Sequence, residues 1–167
     1  IKDCLMSSRS AAIRFGHLSG KVQNIVVENV KILPSNRAIA IFASDGGYVK
    51  NVEISNVTAQ TNTKSGYWWG KGEGFVICAA NSNGKISDVT ISDCSFEQEN
   101  ASVIAGKNGN VSDINIHNCV FSKRDGNANP YYDGKMDLQP NIPNLFDAPY
   151  NKGEKLYVDG AKDVTID

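Results

Sequence analysis

An all-β fold of stacked parallel strands, a right-handed single-stranded parallel β-helix, is predicted by three features of this sequence. There is a repeat of about 25 residues, a strand-like alternation inside each repeat, and no stretch that reads as helix. Four segments carry the repeat: Val22-Gln-Asn-Ile-Val-Val-Glu-Asn29, Val49-Lys-Asn-Val-Glu-Ile-Ser-Asn56, Ile86-Ser-Asp-Val-Thr-Ile-Ser-Asp93 and Val111-Ser-Asp-Ile-Asn-Ile-His-Asn118. Each runs apolar, polar, Asn or Asp, apolar, polar, apolar, polar, Asn or Asp, with Val26 as the exception at a polar position. Starts at 22, 49, 86 and 111 leave no room for a crossover helix at every step.

Within each segment the pairs Ile25/Val27, Val52/Ile54, Val89/Ile91 and Ile114/Ile116 fall on one face of a strand. One coil cannot bury that face alone. Stacking coils at roughly 4.7–4.9 Å pairs their backbones and lines the Val, Ile and Cys side chains into a continuous core. Asn29, Asn56, Asp93 and Asn118 then form a ladder at a corner, because Asn and Asp tolerate the left-handed turn that a corner demands. The residues after them, Val30, Val57, Cys94 and Cys119, together with Cys4, share one inward ladder.

A second apolar run follows in each unit: Ala11–Phe15, Ala38–Phe42, Gly74–Cys78 and Ala101–Ala105. Aligned on Ile13, Ile39, Val76 and Val103, the third unit carries ten extra residues, an insertion within 60–73 that includes Trp68 and Trp69. The regular units occupy residues 1–121. From 122 to 160 the pattern lapses into a long excursion with four prolines, and loops of that length in a compact domain are functional or disordered. A further coil starts at 161–167. Both ends fall inside a unit, which predicts an excerpt from a longer solenoid, with any signal peptide outside it.

Composition narrows the function. Seventeen Lys and Arg against 18 Asp and Glu give no support to a nucleic-acid or anionic-membrane partner. No run approaches the roughly 18 apolar residues of a membrane span. The four cysteines include no Cys-x-x-Cys pair of the kind that binds zinc. Cys94 and Cys119 are one coil apart, but side chains stacked in parallel rarely reach the dihedral of a disulfide, so free thiols are expected.

Ligands of such a solenoid are expected along a groove formed by one sheet and its long loops. Trp68 and Trp69, the only tryptophans, are placed to stack on sugar rings, with Lys71 and Glu73 beside them to hold a carboxylate or to move a proton. Alternation points Arg14 outward, and Arg9 and Arg37 precede the same strand in adjacent coils, a patch suited to bidentate carboxylate recognition. His17 and His117 are the two histidines, and either has the chemistry of a general acid or base. The catalytic candidates are therefore Glu73 and His17, with Asp45 the other nearby carboxylate. The substrate-binding candidates are Arg9, Arg14, Arg37, Trp68, Trp69 and Lys71.

The stretches Ser7-Ser-Arg-Ser-Ala-Ala-Ile-Arg-Phe-Gly16, Arg37-Ala-Ile-Ala-Ile-Phe42 leading into Asp45-Gly-Gly-Tyr-Val-Lys-Asn-Val52, and Tyr67-Trp-Trp-Gly-Lys-Gly-Glu73 resemble polygalacturonase-like proteins of glycoside hydrolase family 28, within the pectin lyase-like superfamily. The resemblance covers most of residues 1–121. It implies a right-handed β-helix, secretion or export, and inverting hydrolysis of pectic polysaccharides with no metal or other cofactor. The family's Gly-His-Gly falls on Ser10-Ala11-Ala12, and its Arg-x-Lys falls on Ala40-Ile41-Phe42, so one histidine and two cations are replaced. Its paired aspartates are expected before Ile1. Arg9, Arg14 and Arg37 then stand as substitute cations for a different uronide. The functional expectation is a glycoside hydrolase for an acidic plant polysaccharide. A non-catalytic carbohydrate-binding solenoid is the alternative, and a polysaccharide lyase, which needs Ca²⁺-binding carboxylates, is a further one.

Overall fold

A computed structural model of the chain describes residues 1–16, 19–64, 70–79, 83–124 and 155–167. Among these residues there are strands and turns but no helix. In chain order the strands are β1 (Lys2–Met6), β2 (Ala11–Phe15), β3 (Lys21–Ser35), β4 (Arg37–Ala43), β5 (Tyr48–Thr61), β6 (Glu73–Ala79), β7 (Lys85–Ser92), β8 (Ser95–Gln98), β9 (Ser102–Ala105), β10 (Ser112–His117), β11 (Val120–Lys123), β12 (Leu156–Asp159) and β13 (Lys162–Ile166). They form two sheets in which every pairing is parallel. One runs β1-β3-β5-β7-β10-β13, with β8 pairing both β5 and β11. The other runs β12-β9-β6-β4-β2.

The repeat sets the register. Val22 pairs with Val49 and Val49 with Ile86, and Ile86 bridges to Val111. Ile25, Val52, Val89, Ile114 and Val164 stand in one row across five strands. Identical positions of successive units are thus neighbours, as parallel strands require if like apolar side chains are to share a face. The second run departs from expectation by one residue in the third unit. Ile39 faces Phe75 and Ala40 faces Val76, whereas Val76 faces Val103. The shift places Phe75 inward, edge-on to Phe96 at 5.5 Å, with Phe121 stacked on Phe96 at 5.5 Å.

Two rows of left-handed residues bend the long strands. Asn29, Asn56, Asp93 and Asn118 have φ of 56°, 50°, 54° and 49°, the corner expected from sequence. A second row, unforeseen as a bend, consists of Asn24, Asn51, Asp88, Asp113 and Asp163, with φ between 50° and 59°. Asn and Asp hold this conformation because a short polar side chain can hydrogen-bond locally and offset the Cβ clash. Here the bonds run from unit to unit. Asn56 Nδ2 donates to Asn29 Oδ1 at 2.6 Å, Asn51 Nδ2 to Asn24 Oδ1 at 2.8 Å and Asn118 Nδ2 to Asp93 Oδ1 at 2.7 Å.

The main core gathers Val27, Ile39, Ile41, Ile54, Phe75, Ile77, Ile91, Phe96, Ile104 and Ile116 with their neighbours from both sheets. A second apolar cluster, Ala40, Phe42, Val76, Cys78, Val103 and Ala105, takes the alternate positions of β4, β6 and β9, on the other face of the smaller sheet. β12 lies inside the predicted 122–160 excursion yet pairs with β9, Tyr157 facing Val103, so the end of that stretch belongs to the sheet. The excursion from 125 to 154 lies outside the described residues.

Candidate functional site

The smaller sheet brings together the charged residues that the sequence singles out, on the face that carries Ala40 and Phe42. β4 opens with Arg37 and β6 opens with Glu73, and the two are direct register partners. The guanidinium forks onto the carboxylate, Nε to Oε2 at 3.2 Å and Nη2 to Oε1 at 2.9 Å. Both side chains are buried, at 1% and 0% exposure. Bidentate geometry is what makes such a pair tolerable away from water, because each desolvated charge meets its counterpart through two aligned bonds.

Glu73 has a third donor. The backbone N–H of Lys71 bonds its Oε2 at 2.6 Å. Around this carboxylate the stems of the insertion are fixed by further buried polar groups. Gly72 N–H donates to the Asn36 carbonyl at 2.7 Å, Lys64 N–H to Asn36 Oδ1 at 3.0 Å, Thr63 N–H to Glu99 Oε2 at 2.7 Å and Thr61 Oγ1 to the Gly72 carbonyl at 2.7 Å. Asn100 Nδ2 donates to the Lys71 carbonyl. Gly74 follows directly, and a Cβ there would lie 2.4 Å from Gln98 Oε1, which instead accepts the Gly74 N–H at 3.1 Å. Residues 62–64 and 70–72 are therefore clamped at both stems of the insertion.

Arg14 reaches the same place from β2. It pairs in register with Ala40, and its guanidinium carbon lies 5.3 Å from the Phe42 ring centroid, while that of Arg37 lies 5.7 Å from it. Two guanidinium groups over one aromatic ring gain cation–π attraction but repel each other. Partial burial, and then the like charge of Arg37, pull the pKa of Arg14 below its ordinary value. The nearby Cys78 thiol, 0% exposed, is pushed up by burial and only partly brought back by Arg37, so it stays protonated as a packing group.

The remaining candidates are dispersed. Arg9 is exposed in the bend before β2. Arg37 departs from the open arginine patch expected from sequence: it is enclosed and committed to Glu73. Glu73, expected as a carboxylate facing substrate, is likewise enclosed. Lys71 is partly buried, and its backbone N–H donates to Glu73. Asp45 sits exposed in the turn after β4, with φ of 49°. His117 is on the larger sheet, its Nδ1 2.5 Å from Asp167 Oδ1. His17, Trp68 and Trp69 lie outside the described residues. Among the described residues no group of three or more His, Cys, Asp or Glu side chains is placed to hold a metal ion.

The Arg37–Glu73 pairing was not legible beforehand. Arg37 stands two residues before Ile39 and Glu73 three before Val76, and only the one-residue shift at Phe75 makes them partners. Gln98 and Ser102, buried, and Asn100, partly buried, surround the pair and carry no clear signal in the chain. Comparison with protein-family models, with curated proteins and with solved structures finds no match.

Proposed function

We propose that the repeating units wind as a right-handed parallel β-helix whose smaller sheet carries the sugar-binding surface of a glycoside hydrolase for an acidic plant polysaccharide. The observation that carries the reading is the convergence of Arg14, Arg37 and Glu73 on Phe42 beside both stems of the insertion. In this arrangement Arg37 and Glu73 neutralise each other and brace the loop, and Arg14, with a cation–π partner under it, meets a uronate carboxylate. Trp68 and Trp69, candidates from the sequence, have the flat aromatic faces that stack on sugar rings. The resemblance to polygalacturonase-like proteins supports hydrolysis as the reaction and export as the destination.

A second reading has its own support. Glycoside hydrolysis uses two carboxylates flanking the scissile bond, and Glu73, with three donors on its two oxygens, is held as a structural anion. A binding solenoid without hydrolysis is consistent with that commitment.

One experiment separates the readings. The protein, with any coding sequence that precedes Ile1 included, is incubated with polygalacturonate and rhamnogalacturonan oligomers, and binding, reducing ends and ultraviolet-absorbing unsaturated ends are followed together. Hydrolysis yields reducing ends alone, a lyase yields both, and a binder yields neither while retaining affinity. Arg14→Ala is expected to lower affinity for uronides by roughly tenfold, as loss of a charge-assisted contact does. Failure of all these oligomers to bind would refute the proposal.

A further inference from the structure

The larger sheet brings two thiols together across successive units. Ser92 pairs with His117 and Ser95 with Val120, so Cys94 and Cys119, between these pairs, occupy the same ladder position in neighbouring units. Cα atoms one strand spacing apart, roughly 4.8 Å, lie inside the span of about 4.4–6.8 Å that a disulfide bridges, and closing it requires the two side chains to rotate out of parallel stacking to the roughly 90° disulfide dihedral. Both cysteines are reduced here, and each thiol is near enough to shift the titration of the other. Each sulfur also approaches the carbonyl two residues before it, Cys94 that of Ser92 at 3.0 Å and Cys119 that of His117 at 3.2 Å. Cys94 is 2% exposed, whereas Cys119 is only partly covered. Val30 and Val57 hold the equivalent positions in the preceding units, and Cys4 faces Val30, so among the ladder cysteines the thiol pair is confined to Cys94 and Cys119.

We propose that Cys94 and Cys119 form a thiol–disulfide exchange site for low-molecular-weight disulfides, with Cys119 as the attacking sulfur and Cys94 as the resolving one. The neighbouring Cys94 thiol favours the Cys119 thiolate and lowers its pKa to about 7, with His117 assisting and burial and Asp93 opposing. Cys94 is raised by the same contact and by burial. Cys119 as thiolate attacks one sulfur of a disulfide RSSR, forming a mixed disulfide and expelling RS⁻, which takes up a proton. Cys94 then gives up its proton and attacks the Cys119 sulfur, releasing the second RS⁻, which that proton neutralises. Two protein thiols are oxidised to one disulfide, and one RSSR is reduced to two RSH.

The test treats the chain with oxidised glutathione at mildly alkaline pH and reads intact mass and a non-reducing digest. The expected product is lighter by two hydrogens, links the peptides of Cys94 and Cys119, and reverts with dithiothreitol. Cys94→Val halts at a glutathione adduct on Cys119 and slows alkylation of Cys119 near neutral pH by roughly tenfold. Cys119→Val leaves Cys94 unmodified. Valine already fills this position at Val30 and Val57, and circular dichroism checks that the variants keep the fold. A wild-type chain that halts at the mixed disulfide, or that links these cysteines only when denatured, overturns the proposal without recourse to any variant.

Discussion

Arg37 and Glu73 are 36 residues apart in sequence and direct neighbours on adjacent strands, each side chain satisfying the other in a site with almost no solvent. Such a pair costs desolvation on both sides and returns it through geometry, so losing one partner is worse than losing both. Glu73→Gln is expected to lower unfolding free energy by about 3–5 kcal/mol, and Arg37→Met with Glu73→Met to recover most of that loss. Urea titration of the parent and both variants checks it. A single variant as stable as the parent would contradict the buried ion pair.

The corner ladder makes a prediction of its own. Asn56 holds φ of 50° and donates to Asn29. Asn56→Ala loses the side chain that eases the left-handed backbone and is expected to cost about 1–2 kcal/mol. Asn56→Gly, free of the Cβ clash, is expected to cost less. The order of the two midpoints in denaturant is the measurement. Glycine ranking below alanine would mean that backbone strain at this corner is negligible.

Phe96 is fully buried between Phe75 and Phe121. Its removal leaves a cavity that neighbouring β-strands, held by register, close poorly. Phe96→Ala is expected to destabilise by about 3–5 kcal/mol, and Phe96→Leu by clearly less. Thermal unfolding of both variants decides it.

Stability is expected to vary with pH through the thiol pair. Cys119 is lowered to about 7 in the fold, against an ordinary 9.0, and Cys94 is raised above that value. Between about pH 7 and 9 the unfolded chain holds both thiol protons and the folded chain one, so this contribution to stability grows with pH. It is lost as pH falls through the folded value of Cys119. Above the ordinary value the unfolded chain has released both protons while Cys94 retains its own, and the contribution declines. The parent minus Cys119→Val, followed by denaturant midpoint across this range, should rise and then fall. A flat difference would refute the coupling.

Much of the fold is legible before any coordinates. The alternation at Ile25/Val27 and its three counterparts fixes which face is inward, and the equal spacing from those positions to Asn29, Asn56, Asp93 and Asn118 marks a corner. Three things were not legible for physical reasons. The left-handed row at Asn24 and Asn51 falls where two successive polar residues break the alternation, and that break alone does not say which way the backbone turns. The one-residue shift at Phe75 depends on how an inserted loop re-enters the sheet, which length alone does not determine. The commitment of Arg37 to Glu73 is a partner choice, and an arginine at a strand start reads equally as a solvent-facing cation.

The left-handed posts have a consequence for how such a molecule changes over time. They fix where each repeating unit bends, independently of what is spliced between them. Starts separated by 27, 37 and 25 residues still meet in one register. Connecting segments can therefore be lengthened, exchanged or deleted while the register of the paired strands is kept.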